Sequence, residues 1–117
     1  MNMIVKSLGH SLDGLRHAWR AQHKVRITTV AVGVALPLAL LLARTPLEWA
    51  LMMMAVLLSL ALEIVNSGLE ELCDHVTPER HPDIKAIKDM GSATVFCAHL
   101  IGLMVWGAIA FQRFTDM

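Results

Sequence analysis

The chain has 117 residues, room for one domain, and is 56% hydrophobic and only 17% charged. Average soluble domains have roughly 45–50% apolar and about 25% charged residues, and a small one needs polar side chains to cover its large relative surface. The composition therefore argues against a free-standing soluble globule and excludes intrinsic disorder. Ten basic and ten acidic residues cancel, which argues against a nucleic-acid binder. In chain order, residues 1–26 come first: Ile4, Val5, Leu8, Leu12, Leu15 and Trp19 recur at helical intervals, with Lys6, Arg16 and Arg20 between them. The pattern predicts an amphipathic helix suited to lying in a membrane interface, and packing of that helix on the protein's own spans is compatible with it.

Three apolar stretches follow: 17 uncharged residues from Ile27 to Ala43, 21 from Trp49 to Leu69 with Glu63 as the only charge, and 23 from Met90 to Gln112 with none. Crossing a hydrocarbon core of about 30 Å takes roughly 17–25 helical residues, so all three are predicted to span. Pro37 in the first is tolerated as a kink in a membrane helix. That stretch starts too late for a signal peptide, and no small-residue cleavage site clearly follows it. The fold class is all-α integral membrane, with spans at 27–43, 49–69 and 90–112 and a polar loop at 70–89 broken by Pro78 and Pro82. Five Lys or Arg precede the first span and three lie in the loop, against Arg44 and Arg113 opposite. The positive-inside rule puts the N-terminus and the loop in the cytoplasm.

Glu63 lies 14 residues beyond Trp49, about 21 Å into the bilayer, with roughly 9 Å of core left before the cytoplasmic edge. A carboxylate at the bilayer centre costs on the order of 2.5–3.5 kcal/mol by insertion scales. Asn66, Glu70 and Asp74 fall at about 300°, 340° and 20° from Glu63 around a helix, so one polar stripe runs from inside the membrane to water. Lys88-Asp89 marks the entry of the third span, with Ser92 one turn deeper than Lys88. A buried carboxylate there can take a proton from a lipid hydroxyl. A carboxylate at the water boundary, with Asn66 and Asp74 nearby, can hold a hard cation that carries phosphates, and Lys88 can face a phosphate. The plainer alternative is a stripe that binds helices together by hydrogen bonds.

The two motifs Glu63-Ile-Val-Asn66-Ser-Gly-Leu-Glu70-x-x-x-Asp74 and Lys88-Asp89-Met-Gly-Ser92-Ala resemble the paired signature of the prokaryotic diacylglycerol kinase family, which also contains undecaprenol kinases. The run Lys6-Ser-Leu-Gly9-His-Ser-Leu-Asp-Gly14-Leu-Arg16-x-Ala-Trp19 and Arg26 match as well, so the resemblance covers nearly the whole chain. It implies a homotrimeric inner-membrane enzyme that uses MgATP to phosphorylate diacylglycerol to phosphatidic acid, with sites between subunits. Glu63 would be the catalytic base and Glu70 a Mg2+ ligand. His10, Gln22, Asn66, Glu70, Asp74, Glu79, Arg80, His81, Lys88 and Asp89 would serve ATP. Arg16, Trp19, Arg26, Ser92 and Trp106, with Glu63, would line the lipid site. Gln22 departs from the family, which carries a glutamate there as second metal ligand; its amide oxygen can coordinate, at the loss of one charge. His10 stands where relatives carry an aromatic hydroxyl. The Met-Gly-Ser-Ala form of the second motif favours diacylglycerol over undecaprenol.

No GxxxxGK[ST] or GxGxxG occurs, so the soluble nucleotide-binding folds find no support. Cys73-x-His75 is a lone pair without zinc spacing, and His99 reads as a hydrogen bonder between spans. A small oligomeric transporter would use Glu63 but leaves Lys88-Asp89 and the Asn66–Glu70–Asp74 continuation unexplained. A scaffold without chemistry leaves the burial of Glu63 itself unexplained.

Overall fold

The computed structural model describes residues 2–77, 79 and 81–116 as four helices: α1 (Met3–Ala21), α2 (His23–Leu42), α3 (Pro46–Val76) and α4 (Pro82–Thr115). The starts of α1, α3 and α4 have local causes. The Asn2 side chain accepts from the Ile4 N–H at 2.9 Å and opens α1. Gln22, extended at φ −120° and ψ 111°, separates α1 from α2. Arg26 Nη1 donates to the Trp19 and Arg20 carbonyls at 2.9 and 3.0 Å, answering acceptors that the end of α1 leaves open. Thr45 caps α3 through the Glu48 N–H at 3.1 Å, and Pro46 takes the first helical position, where no N–H is needed. His81 Nδ1 accepts from the Asp83 N–H at 3.1 Å and Pro82 starts α4 in the same way.

α2, α3 and α4 are each long and apolar enough to cross a membrane. α3 is the central element, packed on both α4 and α2, which also touch each other, while among the described residues α1 meets α2 and α3. The molecule is thin, 55 × 43 × 21 Å, so few side chains are fully enclosed. Ala39, Met52, Met53 and Ile109 form the core, with Trp49, Val105 and Trp106 against it. Ile4, Val5, Leu8, Leu12, Leu15 and Trp19 of α1 are all exposed.

Two expected boundaries are corrected. The polar loop at 70–89 shrinks to the short connection between Val76 and Pro82, because α3 runs on through Glu70–Val76 and α4 begins well before Met90. The absence of charge marks only the hydrocarbon-crossing part of a helix. Thirty-one and 34 residues make helices of about 46 and 51 Å, longer than a 30 Å core. The N-terminal helix stops at Ala21 rather than Arg26, and residues 23–26 belong to α2.

Candidate active site

Glu63 is buried on α3 at 5% exposure, and its Oε1 has no hydrogen-bond partner among the described residues. Asn66 and Ser67, one turn on, are buried with Asn66 Oδ1 and Ser67 Oγ likewise unpartnered. The stripe extends deeper than expected: Ser59, one turn before Glu63, lies 3.5 Å from His99 Nδ1 of α4. Towards the polar end, Asn66 Nδ2 approaches Glu70 Oε1 at 3.5 Å, and Lys24 Nζ of α2 reaches the same oxygen at 3.6 Å. Gly91 lets α4 pass here. A Cβ at that position would collide with the Asn66 side-chain oxygen and lie 2.9 Å from Leu69 Cδ2.

Past the apolar stretches the helix ends are ion-paired. Lys88 Nζ donates to Asp74 Oδ1 at 2.6 Å across α4 and α3, and Lys85 Nζ to Asp89 Oδ2 at 2.7 Å along α4. These hydrogen bonds hold both ammonium groups above the usual lysine range, against a smaller opposing effect of desolvation. Glu71 accepts from His17 Nε2 of α1 at 2.9 and 3.1 Å and from Gln22 Nε2 at 3.2 Å. The His17 bond first, then that of Gln22, keeps its carboxyl below the ordinary range.

Asp74, Glu79, His81 and Lys88, all singled out in the sequence, line one cleft of about 520 Å3 together with Thr77, Pro82, Ile84 and Lys85. Arg80 lies outside the described residues. Asp89 faces Lys85 rather than this cleft. His10 and Ser92 are exposed on α1 and α4, and Arg16 pairs with Asp13 at 3.7 Å. Trp19 and Arg26 meet each other through the Trp19 carbonyl. Trp106 donates its indole N–H to the Met52 carbonyl at 3.0 Å, and it lines an apolar groove with Ser59 and His99. None of these six is among the described residues lining the cleft.

Lys24, Glu71 and His17 were missed by the sequence reading. Lys85–Asp89 was readable as an i, i+4 pair, and Ser59 as one more step of the Glu63 stripe. The meeting of His17 and Lys24 with the end of α3 depends on the break at Gln22, which no local pattern announces.

Magnesium carried by phosphates needs one or two carboxylates from the protein, the rest of its oxygen shell coming from water and substrate. Glu70 fits that demand, and the Asn66 amide turns its nitrogen towards Glu70 and its oxygen towards Gly91. Among the described residues no three His, Cys, Asp or Glu gather as a metal cage. Gln22 directs its amide nitrogen to Glu71, not towards Glu70.

Three membrane-capable helices, with a buried carboxylate unpartnered among the described residues and a stripe that leads to an ion-paired cleft, mark a multi-pass membrane protein with a candidate site at the polar ends of its helices. Comparison with known proteins sharpens this. Residues 9–110 match the prokaryotic diacylglycerol kinase family. The chain is 38% identical to the diacylglycerol kinase of Haemophilus influenzae over 108 residues, 92% of each chain. It is 38% identical to that of Pseudomonas aeruginosa over 109 residues, 93% of this chain and 89% of the relative. With the diacylglycerol kinase of Escherichia coli K12 it shares 33% over 111 residues, 95% and 91% of the two chains. The chain belongs to the prokaryotic diacylglycerol kinase family and is a multi-pass bacterial membrane enzyme.

Proposed function

We propose that this protein transfers the γ-phosphate of MgATP to the hydroxyl of diacylglycerol, giving phosphatidic acid and ADP. The observation that carries this reading is the Glu63 carboxylate, buried in an apolar span with a free Oε1. A group so placed takes the proton of a lipid hydroxyl as that oxygen attacks the γ-phosphorus and the bond to the β-phosphate oxygen breaks. Glu70 with Asn66 would hold the Mg2+, which when bound neutralises charge developing on the phosphates. Lys88, kept cationic by Asp74 at the cleft, meets the polyphosphate from the water side. Arg16, Trp19, Arg26, Ser92 and Trp106 serve the lipid side of the site by family likeness, and His10, Glu79, Arg80, His81 and Asp89 the nucleotide side.

The basic end of the chain and the cleft face the cytoplasm, where ATP is, in accord with the excess of Lys and Arg on that side. α1 then lies along the inner surface with its exposed Ile4, Leu8, Leu12 and Leu15 in lipid. The working form is a homotrimer, as the family resemblance implies, in which neighbouring copies cover the apolar faces of this thin molecule.

The test is phosphorylation by the purified protein in lipid-containing micelles, with γ-labelled ATP and with diacylglycerol and undecaprenol side by side. Labelled phosphatidic acid, formed only with a divalent cation present, is the expected product. Label in undecaprenyl phosphate alone would reassign the acceptor, and no lipid product from either would overturn the kinase reading.

A further inference from the structure

Glu70, the carboxylate that the proposed cation needs, already faces a cation belonging to the protein. Lys24 stands in the first turn of α2, and its Nζ lies 3.6 Å from Glu70 Oε1. It reaches that oxygen because the extended Gln22 ends α1 and starts α2 afresh beside the polar end of α3. Gln22 itself is neutral and engaged with Glu71, so Lys24 supplies the positive charge that this segment brings to Glu70.

An ammonium has only donors and repels another cation, so a metal ion ligated by Glu70 weakens the hold of that carboxylate on Lys24. Its side chain is 59% exposed and ends a flexible four-carbon stem, so it is free to swing to an anion at the mouth of the site. The helix that carries it favours the same ligand. Gln22 makes no side-chain capping bond, which leaves first-turn N–H groups and the positive end of the helix dipole beside Lys24.

We propose that Lys24 is a phosphate-binding residue for a nucleoside triphosphate, held on Glu70 in the free protein and transferred to a phosphate oxygen when Glu70 takes the divalent cation. The proposal rests on the kinase reading above. Lys88 from α4 and Lys24 from α2 then grip the polyphosphate from the two sides of α3.

In neutral-detergent micelles the nucleotide is the sole phosphate present, so binding is measurable without lipid. Mn2+ binding is followed by electron paramagnetic resonance, and nucleotide binding by a fluorescent ATP analogue in the presence of Mn2+. In Lys24→Met, Mn2+ alone should bind several-fold more tightly, because nothing competes for Glu70. The nucleotide should bind about tenfold more weakly, through loss of one charge-assisted hydrogen bond. Lys24→Arg, which keeps the charge, should hold both affinities within about threefold of wild type.

A distorted site would weaken both ligands together, so the opposite signs separate phosphate binding from a structural role. Unchanged nucleotide affinity in Lys24→Met, or equal weakening of Mn2+ and nucleotide, would overturn the proposal. Because neither measurement uses lipid, absence of lipid phosphorylation by the wild-type protein would strike the kinase reading alone. Flat binding data beside normal phosphorylation would strike only the role of Lys24.

Discussion

At the hairpin end, where α2 turns into α3, Arg44 donates to the Gln112 carbonyl at 2.7 Å and pairs with Asp116 at 2.8 Å. Arg44 also gives its backbone N–H to Glu48, and Thr45 caps the helix that follows. The core of Ala39, Met52, Met53 and Ile109 sits in this half, tied by the Trp106 bond to Met52. At the opposite end, Lys24–Glu70, Lys88–Asp74 and His17–Glu71 join different helices through partly or largely exposed pairs that solvent screens. Just inside them Glu63, Asn66 and Ser67 keep buried polar atoms without partners, at a cost of roughly 1–3 kcal/mol apiece. The hairpin end thus ties its helices together through paired polar groups. The polar end combines solvent-screened pairs with buried groups unpartnered among the described residues, an arrangement that accords with the proposed phosphoryl transfer. Trp49, whose indole N–H is buried without a partner, is the exception at the hairpin end.

Glu63→Gln attacks this division hardest. The amide keeps the shape of the side chain but cannot accept the lipid proton, so turnover should fall by about 10²–10⁴, the usual contribution of a general base. Resistance to unfolding should hold or rise, because a neutral group costs less than a carboxylate in an apolar span. Measuring phosphorylation and denaturant resistance on the same preparation checks both. Turnover near wild type would make Glu63 a structural group and the two ends alike.

Gly91→Ala comes next. The added methyl group meets the Asn66 oxygen and Leu69 at the crossing of α3 and α4, and overpacking of this kind costs about 1–3 kcal/mol. Because one displaced group is Asn66, which approaches Glu70, turnover per folded molecule should fall along with stability. A loss of stability with turnover per folded molecule intact would place the crossing with the holding half of the molecule.

The legibility of the chain divides along the same line. The three spans and the Glu63–Asn66–Glu70–Asp74 stripe follow from absence of charge and helical angle, both local properties of one segment. Of the residues lining the cleft, Asp74 and Lys88 were readable as chemistry from the two motifs, while Glu79 and His81 entered only through the family resemblance. Glu71 with His17 and Glu70 with Lys24 were not readable. Each joins segments far apart in sequence, and their meeting depends on the direction in which α2 leaves Gln22, which side-chain type does not encode. The helical angle already carried α3 to Asp74, but the start of α4 at Pro82 was hidden for another reason: charged residues continue a helix into water as readily as apolar ones continue it through lipid.

Arg44→Met carries the smallest expected effect and tests the hairpin end. The substitution removes the pair with Asp116 and the bond to the Gln112 carbonyl, but the flexible apolar side chain keeps much of the packing volume. Arg44 is about one-third exposed, with its side chain at 35%, so solvent already screens the ion pair and most of the loss comes from the carbonyl bond. Stability should fall by about 1 kcal/mol, read as a modest shift in the denaturation midpoint. Turnover and the apparent affinity for nucleotide should stay within about twofold of wild type, since Arg44 touches no group of the stripe. A marked change in nucleotide affinity at unchanged stability would mean that the hairpin end communicates with the cleft along α3 and α4. The separation of holding from chemistry would then fail at the end where it is cleanest.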